Sequence, residues 1–329
     1  MKRGGGQTGV PEDEFLTILR RHGIKGAVRE LNVTERAVHA RRAAIEKRTG
    51  ARVWYPGSTR PLQGDGFEAR EFIEFKVRDG TVLIGSDAHY WPGMISTAHE
   101  GFVKFAKEMQ PAAVILNGDV IDGATISRFP PPGWEYQPEV YEEIETCLAR
   151  LKEIKDVAPD ARRIWTYGNH DQRVEMFVAT HAKEFKGVEG FHLHDHFNDW
   201  ERCWGAFINH KKGTTQGVCV KHRFKGGVHA AYNNIVHSGL NMVTGHLHSA
   251  KVSPKTNYNG TCWGVDCGTL AEPHGRQFTG YTEAGPVDWR SGFAVLTFKD
   301  GKLLQPELCL TVEKGVMQFR GEHIEVSDA

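Results

Sequence analysis

From residue 81 onward, short apolar runs alternate with longer segments whose apolar residues have helical spacing. Three runs are typical of buried strands that end in polar residues: TVLIGSD (81–87), AAVILNGD (112–119) and RRIWTYGNHD (162–171). Helical spacing is found in STAHEGFVKFAKEMQ and PEVYEEIETCLARLKEIKD between these runs, and in QRVEMFVATHAKEF after the third. Regular alternation of strands and helices predicts an α/β domain.

After residue 203 the pattern favours β structure. Paired strands are predicted for WGAFINH and GVCVKH, a helix for VHAAYNNIVHSG, and another strand for NMVTGHLH. The tail from residue 261 to 312 is predicted to be mostly β, with a hairpin turn at KDGK.

The first 50 residues have a different pattern, that of three short helices. EDEFLTILRRH ends at Gly23, IKGAVREL ends at Asn32, and Thr34 is a good N-cap for a third helix that runs to about Arg48. Short helices joined by a tight turn, the last of them rich in arginine, indicate a helix-turn-helix-like module. We therefore predict a module at 1–50, a Gly- and Pro-rich linker at 51–70 and a larger domain at 71–329.

The distribution of charge adds information about the N-terminal module only. The whole chain has a formal net charge of zero, but residues 1–50 hold eleven Lys and Arg against six Asp and Glu. Such asymmetry indicates an end that faces nucleic acid. We expect Arg36, His39 and Arg42 of the third helix to bind DNA, and a small interaction or oligomerisation bundle is the alternative.

The cysteines and the hydropathy limit the class of protein. The six cysteines form no CxxC pair, and alternation around Cys262 and Cys267 suits a strand, so we expect buried, unpaired thiols. The sequence has no run of 18 apolar residues and no signal-like apolar stretch near its first residue. We expect a reduced, cytoplasmic protein that does not enter a membrane.

Carboxylate, amide and imidazole side chains follow the predicted strands. GSDAH, NGDVID, GNHD, VKH and GHLH each supply such groups just after an apolar run. Ligands of open α/β sheets bind beyond the carboxyl ends of the strands, so these groups are expected to lie together. Imidazole nitrogens with carboxylate and amide oxygens suit divalent Zn, Mn, Fe or Ni, and they are too many for one tetrahedral ion. The pattern therefore predicts a site for two ions that could activate water and clamp a phosphoryl group.

In the same order along residues 81 to about 250, the blocks DAH, GDVID, GNHD, a lone His and GHLH resemble the signature of the calcineurin-like metallophosphoesterases. The family pattern is D-x-H, G-D-x-x-D, G-N-H-[DE], H and G-H-x-H. The resemblance implies a four-layer α/β/β/α sandwich, to which the small all-α N-terminal domain is added.

By position, the resemblance also implies two ligand sets that share Asp119. One ion is expected to be held by Asp87, His89, Asp119 and His248, and the other by Asp119, Asn169, His222 and His246. A hydroxide that bridges the ions attacks phosphorus in this family. His170 is expected to lie over the leaving group as the acid, with Asp171 orienting its ring, and Asp122 is expected to hydrogen-bond a ligand histidine.

The chain departs from the family pattern at two places. The fourth block reads HRF instead of HG, so His210 and His229 remain rivals of His222. Gly123 stands where the family often has arginine, and Arg128 is the substitute we consider for a phosphate contact. The loop 123–138 is either a plain surface loop or a substrate wall in which Trp134 stacks on a ring.

These features predict a metal-dependent phosphoesterase, with Mn²⁺ the ion expected to support activity in vitro. The basic N-terminal module favours phosphodiester hydrolysis in nucleic acid, because it would tether a polymer. A small-molecule phosphatase or cyclic-nucleotide phosphodiesterase is one alternative. A DNA-binding regulator whose metal domain senses a ligand is another. The sequence leaves the oligomeric state open.

Overall fold

A computed structural model describes residues 9–49, 53, 55, 71–129, 134, 136–283 and 285–326. The chain divides into two compact units, Met1–Gly66 and Phe67–Ala329. Each unit is described by itself. Most of the predicted linker at 51–70 lies outside the described residues, so its conformation stays a prediction.

The N-terminal unit consists of α1 (Glu12–Leu31) and α2 (Glu35–Thr49). Gly23 interrupts α1 with a φ of 66°, which only glycine adopts without strain, so α1 is two short helices joined at a bend. Asn32 ends α1 in the left-handed conformation, and α2 follows after a short turn. The expected sequence of three short helices is therefore present. Their apolar faces form a small core that includes Phe15, Leu19 and Val38.

The larger unit is built from two sheets and flanking helices. Its strands in chain order are β1 (Ile73–Phe75), β2 (Gly80–Gly85), β3 (Ala113–Asn117), β4 (Arg162–Thr166), β5 (Glu201–Cys203), β6 (Ala206–Ile208), β7 (Val218–Val220), β8 (Asn241–Thr244), β9 (Lys251–Asn257), β10 (Gly260–Asp266), β11 (Gly292–Lys299), β12 (Lys302–Leu303), β13 (Glu307–Glu313), β14 (Val316–Phe319) and β15 (Glu322–Glu325). Its helices are α3 (Thr97–Met109), α4 (Val140–Val157), α5 (Arg173–His181), α6 (Leu193–His196), α7 (Ala230–Ser238) and α8 (Thr279–Thr282), with short 3-10 helices at Lys183–Phe185 and Arg276–Phe278.

The larger sheet has the order β15-β14-β13-β11-β2-β3-β4-β5, and β12 forms a hairpin with β11. Strands β2, β3, β4 and β5 are parallel, whereas β11 pairs with β2 antiparallel. The smaller sheet has the order β1-β6-β7-β8-β10-β9, and β7, β8 and β10 run parallel to one another. The carboxyl ends of the parallel strands therefore meet at one edge of each sheet.

Burial along β2 shows how the layers are stacked. Leu83 points into a core that it shares with Phe102 of α3 and Leu151 of α4. Val82 and Ile84 point the other way, into the core between the two sheets. A strand buried on both faces needs a continuous apolar run, which is what the sequence supplies.

Beyond the smaller sheet, Ile235 of α7 packs on Cys219 and Met242. The layers are thus helices, sheet, sheet and helix, and the expected α/β/β/α sandwich is confirmed.

Further expectations from the sequence are met, and some strands were missed. Asp300 and Gly301 both have positive φ in the KDGK turn, as a two-residue hairpin requires. All six cysteines are buried and unpaired. The sequence pattern did not predict β1, β5, β9, β14 or β15, most of which are short or lie at sheet edges. Among the described residues, no helix is both long and apolar enough to cross a membrane.

Candidate metal centre

Three neighbouring parallel strands of the larger sheet end at this centre. Asp87 and His89 follow β2, Asp119 follows β3, and Asn169 follows β4. Gly118 directly precedes Asp119 and Gly168 directly precedes Asn169, which lets the chain leave the sheet sharply at both places. The larger sheet thereby brings carboxylates, an imidazole and an amide to one edge.

The smaller sheet supplies the remaining histidines. His222 comes two residues after β7, and His246 and His248 follow the adjacent parallel strand β8. The rivals of His222 lie elsewhere: the His210 ring stacks on Phe207, and His229 is exposed at the start of α7. Of the three histidines, only His222 lies near Asp87 and Asp119, the carboxylates that the larger sheet supplies.

Side chains from the two sheets converge to within hydrogen-bond distances. Asp87 Oδ1 lies 3.1 Å from His248 Nε2, and Asp119 Oδ2 lies 3.2 Å from His222 Nε2. Ligand-type atoms lie close enough together to hold an ion in one set made of Asp87, His89 and His248, and in another made of Asp119, His222 and His246. The first set lacks Asp119, which the family resemblance implies as a shared ligand, and Asp119 also lies close enough to His89 and His170 to form a third set. Asn169 is not among the residue types compared, so the division between two ions stays a prediction.

The backbone is strained at most of these positions. Left-handed φ angles occur at Asp87 (52°), His89 (39°), Asp119 (51°), His246 (72°) and His248 (56°). Each such residue costs about 1–3 kcal/mol unless the surroundings enforce it, and strain of this kind concentrates at functional sites. The left-handed backbone therefore lowers local stability, and it orients these side chains toward a common point.

Glycines make the close approach possible. A Cβ on Gly168 would lie 2.0 Å from Asp119 Oδ1, and a Cβ on Gly245 would lie 2.5 Å from Asp87 Oδ2. Both contacts are far below any real Cβ distance, so these positions exclude side chains. The glycines of the GNHD and GHLH blocks are thus required by the packing of the carboxylates.

The fit of metal ions can be judged from buried atoms that lack partners. Within the part of the chain that the structure describes, Asn169 Oδ1, His222 Nε2 and His248 Nδ1 are buried and have no hydrogen-bond partner. His222 Nε2 is near Asp119 but not aligned for a hydrogen bond. Leaving such atoms unpaired costs free energy, and a cation would satisfy Asn169 Oδ1 and His222 Nε2. Oxygen and imidazole donors without thiolates suit the borderline divalent ions, so the residues present fit the metals that the fold family uses.

The electrostatics of the centre favour positive charge. Burial opposes ionisation of Asp87, but His222 and His248 outweigh it and lower the pKa of the carboxyl to about 2. Burial also opposes protonation of His222, but Asp119 and Asp87 raise its pKa to about 10. His246 is more exposed, and burial together with the charge of His222 lowers its pKa to about 4. The two carboxylates thus stabilise a cation in the space beside them.

Asp122 joins a ligand to the residue expected to act as the acid. Its Oδ1 lies 2.8 Å from His89 Nδ1 and 3.1 Å from His170 Nδ1. Its backbone oxygen accepts from His170 Nδ1 as well, at 2.9 Å. The contacts to Nδ1 leave Nε2 of His170 facing away from Asp122, about 4.0 Å from Asp119 Oδ2. Burial lowers the pKa of His170, but Asp122 and Asp119 outweigh it, so the pKa is raised.

The structure corrects the role expected for Asp171. Its carboxylate accepts hydrogen bonds from the backbone N–H groups of Asp119, Val120 and Gly168 and from Trp165 Nε1. These partners use the carboxylate fully, and the ring of His170 is not among them. Asp171 therefore holds the β3 and β4 loops together, and Asp122 orients His170 instead.

The sequence analysis missed four residues around the centre. Glu143 of α4 is fully buried, and its carboxylate accepts hydrogen bonds from the backbone N–H groups of Asp122, Gly123 and Ala124. These bonds fix the loop after β3. Arg173 lies against His170 (Nη2 to Nε2, 3.1 Å). A signal was present for Arg173, which is one helical turn after His170, but none marked Glu143, whose partners lie about twenty residues away.

The other two are aromatic. The Phe278 ring lies edge-on to that of His89, with centroids 5.0 Å apart, and Trp289 lies 4.6 Å from His248. Both lie after the last of the metal-binding blocks, where the sequence carries no signal that would place them at the centre. They place a buried ring and a half-buried ring beside one set of ligands.

The residues expected to contact substrate or DNA remain predictions. Arg128 is exposed and stacks over Phe129 at 4.9 Å, and Trp134 is fully exposed. Part of the predicted wall, at 130–133 and 135, lies outside the described residues. On α2, Arg36 and His39 are exposed, whereas Arg42 is half-buried and donates to Tyr55 Oη.

A model of the calcineurin-like phosphoesterase family matches residues 80–257, which is more than half of the chain. Gene 54 protein of Mycobacterium phage L5 is 24% identical over 218 residues, covering 63% of this chain and 84% of that protein.

Two solved structures are similar to this chain over part of its length. A phosphoesterase from E. coli is 13% identical with a TM-score of 0.33, covering 69% of this chain and 97% of its own. A dimetal phosphatase from Danio rerio is 9% identical with a TM-score of 0.36, covering 77% of this chain and 100% of its own.

Proposed function

The chain belongs to the calcineurin-like phosphoesterase family and is a metal-dependent hydrolase of phosphoester bonds, and we propose that it hydrolyses phosphodiester bonds in nucleic acid. The observation that carries the proposal is the convergence of two groups of ligand-type side chains in one unit, one containing Asp87 and the other Asp119, in a chain whose other unit presents a basic helix.

We assign the ions to the two sets named above, with Asp119 shared and Asn169 completing the second. Bound divalent ions would neutralise charge on the phosphoryl oxygens and lower the pKa of the attacking water. The donor types support Mn, Fe, Zn or Ni, and Mn²⁺ is the ion of choice for assays.

His170 is the proposed acid for the leaving oxygen. Asp122 binds its Nδ1, so Nε2, which lies 3.1 Å from Arg173 Nη2, is the nitrogen that can act on the substrate. Because Asp122 and Asp119 raise its pKa despite burial, the imidazole is more readily protonated near neutral pH and can donate to an alkoxide as it departs.

Two features support nucleic acid as the substrate. Arg36 and His39 lie on an exposed face of α2, where they can meet phosphates of a polymer. Residues 1–50 also carry the surplus of cations, so attraction to a polyanion is concentrated in that unit.

A second candidate is favoured by the aromatic pair at the centre. The half-buried Trp289 ring beside His248 could stack on a single base, which suits a cyclic nucleotide or another small phosphoester. Hydrolysis of such a small substrate does not require the basic face of α2.

One comparison separates the candidates. Labelled DNA, cyclic nucleotides and p-nitrophenyl esters are offered to the Mn-loaded full chain and to the Arg36→Ala/His39→Ala variant. The Lys107→Ala/Lys302→Ala variant removes two exposed cations of the larger unit and serves as the matched control.

If nucleic acid is the substrate, the α2 variant loses DNA cleavage but keeps p-nitrophenyl ester turnover, and the control keeps both. Turnover of cyclic nucleotides with no DNA cleavage would support the second candidate. Absence of turnover with Mn, Fe, Zn and Ni would leave a DNA-binding regulator that senses a ligand through the metal domain.

A further inference from the structure

Arg173 is the first residue of α5 and lies one turn after His170. Its side chain is only 13% exposed. Nη1 donates to the backbone oxygens of Asp122 (2.8 Å) and Gly123 (3.4 Å), and Nη2 donates to His170 Nε2 (3.1 Å). The guanidinium is therefore held beside the nitrogen of His170 that we expect to face the substrate.

Gly123 leaves the space that Arg173 occupies. A Cβ at position 123 would lie 3.2 Å from both Cβ and Cδ of Arg173, and the φ of Gly123 is 65°. Position 123 is also where the family pattern often has arginine. A larger residue there would be strained and would crowd Arg173, so the loss of one arginine and the presence of the other are sterically linked.

The donors of Arg173 are not all used by the protein. A guanidinium has five N–H groups. Three are directed at the backbone oxygens of Asp122 and Gly123 and at His170, and Nη1 also lies 3.7 Å from Asp122 Oδ2. Among the described residues, no acceptor contacts Nε or the second N–H of Nη2. A mostly buried guanidinium with spare donors is suited to an oxyanion such as phosphate, whose oxygens can accept from its N–H groups.

Arg202 shows what an arginine with a purely structural role looks like in the same unit. Its Nη1 also donates to two backbone oxygens, those of His194 and Phe197, at 2.9 Å each. Unlike Arg173, it makes no contact with His170 or with a predicted metal ligand among the described residues. It is therefore a matched control for the loss of two arginine–carbonyl bonds.

We infer that Arg173 binds a non-bridging oxygen of the substrate phosphoryl group, in place of an arginine at position 123. The inference rests on the proposed phosphoesterase site but not on the nature of the polymer. When substrate binds, the Nη2 donor can pass from His170 to the phosphoryl oxygen. Nε2 of His170 then no longer accepts from Arg173, so it can take up a proton from solvent and donate it to the leaving oxygen. Arg173 thus contributes affinity for the phosphoryl group itself and does not depend on the leaving group.

The test is the binding of inorganic phosphate to the Mn-loaded full chain. Wild type, Arg173→Ala, Arg173→Gln and Arg202→Ala are compared by calorimetric titration with orthophosphate and by its inhibition of p-nitrophenyl ester turnover. Bound metal is measured by elemental analysis and melting temperature by calorimetry. Calorimetric binding tests Arg173 even if nucleic acid proves not to be the substrate.

We expect Arg173→Ala to weaken orthophosphate roughly 10- to 100-fold, the loss of a charged hydrogen bond, at unchanged metal content. The same factor should persist in a His170→Ala background, because Arg173 acts on the phosphate directly. Arg202→Ala should lower the melting temperature and leave orthophosphate affinity intact.

The inference is overturned if Arg173→Ala binds orthophosphate within about twofold of wild type. It is also overturned if that variant loses metal, or if its effect vanishes without His170, since Arg173 would then act through the ligands or through His170. If Arg173→Ala does not fold, Arg173→Gln decides on the same criteria, because it is neutral but keeps N–H donors for the carbonyls.

Discussion

At the metal centre, Asp87 and Asp119 are buried, strained in φ and surrounded by histidines, whereas on α2 Arg36 and His39 are exposed and lie on a regular helix. Burying charged groups and straining the backbone both cost free energy, so the first arrangement persists only where the whole unit enforces it. Exposed cations on a helix cost little and are compatible with many roles. This contrast explains why the metal centre indicates one kind of chemistry, phosphoester hydrolysis, whereas the basic helix is compatible with several partners.

The change expected to have the largest effect is Asp119→Asn, because we propose that Asp119 is a ligand of both ions. The amide keeps the shape but removes the negative charge that the two ions share, so bound metal and turnover should be lost together. The loss should exceed the roughly 10- to 100-fold cost of replacing a residue that only orients a ligand.

Elemental analysis and p-nitrophenyl ester turnover measure the two effects of Asp119→Asn. Asp199→Asn, which alters an exposed carboxylate paired with Lys155, should change neither. Retention of two ions by Asp119→Asn would show that this carboxylate is not shared.

The next largest effect is expected for His170→Ala. Losing a positioned acid should reduce turnover by on the order of 10²–10⁴-fold, and least for p-nitrophenol, which departs without a proton. Because no ligand is removed, both ions should remain. If the variant loses metal, the division of labour between Asn169 and His170 is wrong.

Removal of metal should lower the stability of the larger unit and leave that of the N-terminal unit unchanged. An ion at 100 times its dissociation constant stabilises the folded state by about 2.7 kcal/mol, so chelation should destabilise the larger unit. The N-terminal unit contains no part of the centre. Hydrogen exchange of the full chain should therefore rise after chelation in β2, β3 and β8 but not in α1 or α2, and equal changes in both units would contradict the assignment.

The smallest effect is expected for Arg36→Ala alone. If Arg36 contacts a DNA phosphate, the slope of log affinity against log salt should fall by about 0.9. Turnover of p-nitrophenyl esters should not change, since the residue lies outside the centre. An unchanged salt slope, measured at several salt concentrations, would favour an interaction bundle over a DNA-binding module.

Much of the larger unit could be predicted because its signals are local. Apolar runs such as TVLIG and AVILN define strands buried on both faces, and the polar residues that follow them mark the edge where ligands bind. The unpredicted strands lack such runs: β1 and β5 are only 3 residues long each and pair with β6 and β4, which lie far from them in the chain. Their pairing depends on a sheet that already exists.

The candidate site shows the same division. The ligand types of Asp87, Asn169 and His248 are chemical properties of the residues and could be identified from spacing. Asp171 was assigned to His170 because the two are adjacent in sequence, yet its carboxylate accepts from the backbone of Asp119 and Val120, whereas the His170 ring contacts Asp122. Adjacent residues on a turn point in different directions, so adjacency does not predict contact.

The sequence by itself determined the layered α/β class, the order of the metal-binding blocks and the kind of ion they suit, because these follow from periodicity and from donor chemistry. Only the tertiary structure decided that Asp122 orients His170 and that Glu143 holds the loop after β3. It also decided that Arg173 occupies the space beside Gly123. Each of these depends on the distance between groups far apart in the chain, and packing sets that distance.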